Sequence, residues 1–131
     1  MILIDSSAWI EYYKPMGDTQ IKKAVYTAIQ NDEAAINGII LVEIAGFVRE
    51  NDRSLILTDF SAFHFLPLPE SVFQTAVTIC SDMRKKGITV PPTDAIIAAC
   101  ALESNTSLLH RDTHFTEIAR HFPLTVHPAR P

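Results

Sequence analysis

Four acidic residues occupy positions where a carboxylate calls for a reason. Asp5 ends the apolar run "MILID", and Glu43 lies inside "GIILVEIAGFV". Asp94 opens "DAIIAACAL" behind two prolines and a threonine, and Asp112 follows "SLLHR". Two carboxylates about 5 Å apart repel by roughly 3 kcal/mol at an effective dielectric near 20. Four gathered in one place need a cation or strongly shifted pKa values. Oxygen donors without a His or Cys frame select hard divalent ions, Mg²⁺ or Mn²⁺. Such an ion turns water into a nucleophile for phosphodiester hydrolysis.

Each acid alone also has an ordinary explanation. Asp5 is the solvated end of a strand. Glu43 faces solvent through a gap in its helix. Asp94 sits in a first helical turn, where the dipole favours an anion, with Thr93 as N-cap. Asp112 caps the helix that starts near His114. The joint reading is stronger, because surface charge does not explain why all four fall at strand ends, at helix starts or in an apolar helix.

The elements that must position them follow from periodicity. Met1–Ile4 is expected to be a short buried strand, and Ser6 or Ser7 to cap a helix ending near Pro15 and Gly17. Thr19–Asn31 carries Ile21, Ala24, Val25, Ala28 and Ile29 on one helical face. Ala34–Ile36 is a second strand. A long helix is expected from Asn37 or Gly38 to Glu50, and another over Ser54–Phe63. "GIILVEIAGFV" is apolar on nearly every side, which predicts a buried helix. Phe65–Leu68 reads as a third strand, Pro69–Lys86 as a helix stopped by Gly87, and Asp94–Glu103 as a buried helix. Ser107–Leu109, His114–His121 and Leu124–Val126 complete the chain as strand, helix and strand. Short buried strands alternating with helices imply a parallel sheet in an α/β sandwich. In such sheets sites form at the carboxyl ends of strands, and Asp5 and Asp112 both fall there.

Composition sets the limits. The 131 residues suit one domain, 1–131, without repeats or linkers. Hydrophobic residues make up 47% and charged residues 20%, an ordinary globular balance. A formal net charge of −4 gives no overall basic field for nucleic acid, so such contact relies on local basic clusters or bound cations. Arg84–Lys86, Lys14 with Lys22 and Lys23, and Arg111 beside Asp112 are those clusters. Arg111 is the better substrate-contact candidate because it adjoins the site. No apolar run reaches the roughly 18 residues of a membrane span, and no basic segment precedes the first apolar residues, so neither a membrane segment nor a secretory signal is expected. Cys80 and Cys100 lie in apolar helical patterns and read as free thiols of a reducing cytoplasm.

"ILIDSSAWI", "LVEIAGF", "PPTDAIIAACAL" and "SLLHRDTHFTEIA", in that order across the whole chain, resemble a PIN domain, and most of all the VapC-type toxins of bacterial toxin–antitoxin pairs. The resemblance implies a three-layer α/β/α sandwich with a central parallel sheet and a metal-dependent ribonuclease activity. Asp5, Glu43, Asp94 and Asp112 match the family's acidic positions. It implies Mg²⁺, or Mn²⁺, held directly by Asp5 and Asp94, with Glu43 and Asp112 completing the pocket. Ser6 matches the small hydroxyl residue after the first acid, a hydrogen-bond partner for Asp5 or for water on the metal. Cleavage of RNA would leave 5′-phosphate and 3′-hydroxyl ends. A homodimer and a cognate antitoxin are the implied protein partners, with "WIEYY" and "DFSAFHF" as contact surface or core. Trp9 itself reads as core.

Two departures from the family pattern are His110, where a threonine is common, and His114, where a further acid is common. Both imidazoles read as surface residues, with RNA phosphate as the other option. Three other functions compete. One is a PIN-like nuclease of RNA processing outside a toxin–antitoxin pair, although those tend to be longer. Another is a receiver-like phosphoacceptor domain, which would want paired acids after the first strand and a lysine after the last, where "HPARP" stands. The third is a non-catalytic RNA- or protein-binding module.

Overall fold

The computed structural model describes residues 1–127. Five strands form one parallel sheet in the order β3-β2-β1-β4-β5. They are β1 (Ile2–Ile4), β2 (Ala34–Ile36), β3 (His64–Phe65), β4 (Ser107–Leu109) and β5 (Val126–His127). Seven helices flank them: α1 (Ser6–Tyr13), α2 (Thr19–Gln30), α3 (Gly38–Ala45), α4 (Glu50–Phe60), α5 (Glu70–Lys85), α6 (Pro92–Glu103) and α7 (Thr113–Ala119). The result is the expected α/β/α sandwich. "ILI" is its central strand, buried throughout and paired with Ala34 and Ala35 on one side and Ser107–Leu109 on the other.

The core is continuous through the sheet and includes Leu3, Ile4, Trp9, Ile36, Ile97, Leu108, Leu109 and Phe115, all fully or almost fully buried. Trp9 is core, as expected. Its ring packs on Phe60 and Phe63 at centroid distances of 4.8 and 5.2 Å, so "WIEYY" and "DFSAFHF" meet each other around it. Cys80 and Cys100 are free thiols. No helix among the described residues is long and apolar enough to cross a membrane.

Several boundaries move, each for a physical reason. α3 stops at Ala45 instead of running to Glu50. The Ala45 carbonyl, orphaned at the helix end, accepts from Arg53 Nε at 3.2 Å, and Arg49 turns extended to start α4. The outer face of α3 is also not buried: Val42 is 64% exposed, and Phe47 beyond its end is 85% exposed. β3 pairs one residue earlier than expected, and Pro67, which has no N–H for a ladder, follows the last bond from Leu66 N to the Ile36 carbonyl. Asp5, not a serine, caps α1 by accepting from Ser7 N at 2.9 Å. Pro91 rather than Thr93 precedes α6, with Pro92 at the first helical position. α7 ends at Ala119, and β5 starts two residues later than the expected strand and ends one residue beyond it. The last four residues of "HPARP", 128–131, lie outside the described residues.

Candidate active site

Parallel pairing puts the ends of β1 and β4 side by side. Asp5 N donates to the Leu109 carbonyl at 2.9 Å, so the residue after β1 is tied to the end of β4. The Asp5 side chain is 2% exposed. Its Oδ2 accepts from Ser7 N and, at 2.6 Å, from Ser7 Oγ. Its Oδ1 is buried without a hydrogen-bond partner. A buried carboxylate oxygen left unsatisfied costs free energy unless a proton or a cation meets it. Burial pushes the Asp5 carboxyl up to about 6; the Ser7 bonds oppose the shift and the charge of Glu43 adds to it.

α3 presents Glu43 from its middle, and its Oε1 accepts from Ser6 Oγ at 3.0 Å. Ser6 therefore serves Glu43, and it is Ser7 that serves Asp5, the reverse of the expected partner for Ser6. An Asp followed two residues later by Ser is the local signal for that geometry, because the side chain folds back on its own turn. Partial burial raises the Glu43 pKa and the Asp94 charge raises it further, while the Ser6 bond lowers it.

Asp94 occupies the third position of α6, where it makes no cap bond to its own helix. Its Oδ2 lies 2.8 Å from His114 Nδ1. Burial raises its pKa first, then the charges of Asp112 and Asp5, with His114 opposing. Asp112 caps α7 as expected, accepting from His114 N at 2.9 Å, and the same Oδ1 lies 3.0 Å from His114 Nδ1. One local explanation of Asp112 is therefore correct without excluding the site. Among the four acids, Asp94 couples to each of the other three.

Neither histidine is a detached surface group. His114 is half-buried between Asp94 and Asp112, and the three side chains offer donor atoms within 4.8 Å of one another. Sequence reasoning missed this contact, although Asp112 and His114 stand two apart at a helix start. His110 accepts from Asp112 N at 3.1 Å and lies against Phe115. Arg111 pairs with acids outside the set of four. Its guanidinium contacts Glu11 at 3.1 Å and Asp18 at 3.2 Å, which hold it over α1 and the start of α2 instead of over the four acids. Its backbone N donates to Ser7 Oγ at 2.9 Å, so one hydroxyl joins Asp5 to the segment that follows β4. Lys14 pairs with Glu11, and Lys22 donates to the Tyr12 carbonyl. Arg84 and Lys85 form the basic last turn of α5, where the dipole favours cations.

Beyond the geometry, residues 2–121 match the family model "PIN domain". The chain is 30% identical over 126 residues to Ribonuclease VapC11 of Mycobacterium tuberculosis, covering 92% of each. In fold it resembles FitAB bound to an IR36 DNA fragment, with a TM-score of 0.77 at 22% identity, covering 96% of this chain and 93% of that one. It also resembles a toxin–antitoxin complex from Klebsiella pneumoniae, with a TM-score of 0.76 at 20% identity over the whole of both chains. With a central parallel sheet, four acids at one edge and a match spanning nearly the whole sequence, the chain belongs to the PIN-domain family, in its VapC branch.

Proposed function

We propose that the chain is the toxin of a toxin–antitoxin pair, a metal-dependent endoribonuclease that hydrolyses RNA phosphodiester bonds at Asp5, Glu43, Asp94 and Asp112. One observation carries this reading: Asp5 Oδ1 is a buried, unpartnered carboxylate oxygen on the sheet edge that the other acids share. Similarity to the mycobacterial ribonuclease supports the ribonuclease, and likeness to the toxin–antitoxin complex supports the antitoxin.

The donor set fits a hard or borderline divalent cation, because it is carboxylate oxygen with one nearby imidazole. When bound, Mg²⁺ or Mn²⁺ supplies positive charge to the phosphodiester and makes water more acidic. Asp5 and Asp94 would hold the ion, with Glu43 and Asp112 completing the pocket. Ser7 locks Asp5 in place by two hydrogen bonds. Ser6 engages only Oε1 of Glu43, which leaves the other oxygen to take a proton from the attacking water. A carboxylate so placed suits a general base for that proton. The leaving 3′ oxygen departs in line and the products carry 5′-phosphate and 3′-hydroxyl ends.

The antitoxin covers exposed apolar side chains on and after α3, where Val42 and Phe47 stand in solvent. The chain works in the cytoplasm as a homodimer; the free thiols support a reducing compartment. The test is direct. The purified chain, stripped of antitoxin, is expected to cleave single-stranded RNA with Mg²⁺ or Mn²⁺ and to stop on adding EDTA. A folded Asp5→Ala variant is expected to be inactive. EDTA-resistant cleavage, or full activity in folded Asp5→Ala, overturns the reading.

A further inference from the structure

We propose that His114 is a nitrogen ligand of the metal centre and that it makes the centre select Mn²⁺ over Mg²⁺. The inference rests on the reading above, that a divalent cation binds at the acidic edge.

The argument begins with placement. His114 stands in the first turn of α7, a helix anchored by the fully buried side chains of Phe115 and Ile118. Its backbone N–H is held by Asp112 Oδ1, so the ring starts from a fixed point. Nδ1 then lies 2.8 Å from Asp94 Oδ2 and 3.0 Å from Asp112 Oδ1. Adjacent ligands on an octahedral ion with bonds of about 2.1 Å are about 3 Å apart. His114 Nδ1 therefore already has the spacing of a neighbouring ligand to each of the two carboxylate oxygens, and all three side chains offer donor atoms within 4.8 Å of one another. The His114 side chain is 39% exposed, which leaves the site open to an incoming ion.

A second observation, independent of this cluster, points to a ligand. The buried, unpartnered Asp5 Oδ1 belongs to a carboxylate coupled electrostatically to Asp94. Asp94 thus joins the orphaned oxygen on one side to the imidazole on the other.

Chemistry sets the preference. Imidazole nitrogen suits transition cations, whereas Mg²⁺ favours oxygen donors and keeps its water. Mn²⁺ accepts carboxylate oxygen and lies on the transition-metal series, so a site of acids plus one imidazole favours it over Mg²⁺. Ligation uses the Nδ1 lone pair. The proton that Nδ1 donates to Asp94 Oδ2 in the chain without metal therefore leaves Nδ1, and the ligating ring is neutral with one proton on Nε2 and any other released to solvent.

The experiment is Mn²⁺ binding to the purified 131-residue chain, followed by continuous-wave and pulsed electron paramagnetic resonance, with Mg²⁺ as competitor. The wild type is expected to show nitrogen coupling to bound Mn²⁺ and to need a large excess of Mg²⁺ for displacement. His114→Asn keeps the backbone cap of α7. It is expected to remove the coupling and to lower the Mn²⁺-to-Mg²⁺ affinity ratio by about tenfold or more. Mn²⁺ bound without nitrogen coupling in the wild type, or coupling that survives His114→Asn, overturns this inference and leaves the metal-centre reading standing. No saturable Mn²⁺ binding, or binding indifferent to Asp94→Asn, overturns both.

Discussion

Helices α3 and α6 are both rich in apolar residues, and the fold treats them differently. α6 is buried along most of its length, with Ala95, Ile97, Ala98, Ala99 and Ala101 almost wholly removed from solvent, and it packs against α5, α7, α3 and the sheet. α3 buries Ile40, Ile44 and Ala45 but turns Val42 outward. The difference lies in side-chain size. Alanines let α5 approach α6 closely, whereas the branched residues of α3 fill one groove and leave a surplus on the far side. Apolar content alone reports that a helix face will be covered, and small residues report that the chain itself covers it. Each helix also delivers one acid, Asp94 from the enclosed helix and Glu43 from the half-open one.

That contrast can be broken by experiment, first at the acids. Asp94 couples to the other three and is expected to hold the metal, so Asp94→Asn should reduce RNA cleavage by at least about a hundredfold. Glu43→Gln removes a proton acceptor and should cost less, about tenfold. Equal losses in single-turnover cleavage assays would erase the distinction between the helices.

The next effect belongs to the strand between them. The Asp5 carboxyl titrates at about 6 in the folded chain against 3.8 unfolded, so folding favours its protonated form. The resulting stabilisation is complete below pH 3.8 and is lost as pH rises through 6. In metal-free protein this is on the order of 3 kcal/mol. Glu11 has a lowered pKa and acts oppositely, but its contribution changes only as pH falls below 4.5. Denaturant melts in EDTA should therefore show lower stability at pH 8 than at pH 5. Asp5→Asn, which preserves the cap geometry, should reduce that slope, and the raised pKa values of Glu43 and Asp94 supply the remainder in the same direction. A flat profile in the wild type would contradict the buried, unpartnered oxygen.

Packing gives a smaller signal. Ala98→Leu in α6 should destabilise by about 1–3 kcal/mol through overpacking. Val42→Ser in α3 should leave stability within about 0.5 kcal/mol. Calorimetric titration of Val42→Ser with a cognate antitoxin should nonetheless show weakened binding. Thermal melts separate the two cases, and a large loss of stability in Val42→Ser would mean that α3 is core after all.

The legible parts of the sequence were those with local causes. "ILID" announces a buried strand ending on a carboxylate, and it is the central strand with Asp5 at its edge. "PPTDAIIAACAL" announces a buried helix with an acid in its first turn. The less legible parts depend on residues far apart in sequence. Arg53 terminates α3 by bonding the Ala45 carbonyl, which no periodicity reveals, since Phe47 and Val48 continue the apolar pattern past the true end. The arrangement Ser6 to Glu43 requires two elements to meet. His114 meets Asp94 only because α6 and α7 start side by side, so its part in the cluster depends on tertiary placement.

The Ser7 hydroxyl, bonded to Asp5 and to the backbone N of Arg111, bears on how damage to the site is to be recognised. It works as a spacer between two halves that carry the charges. A chain with Ser7→Ala would retain every carboxylate and pass any inventory of them. The strand pairing would still hold its halves together, but Asp5 would lose its hydroxyl link to the Arg111 backbone, so looser aim of a carboxylate, rather than loss of a charged group, would be the fault.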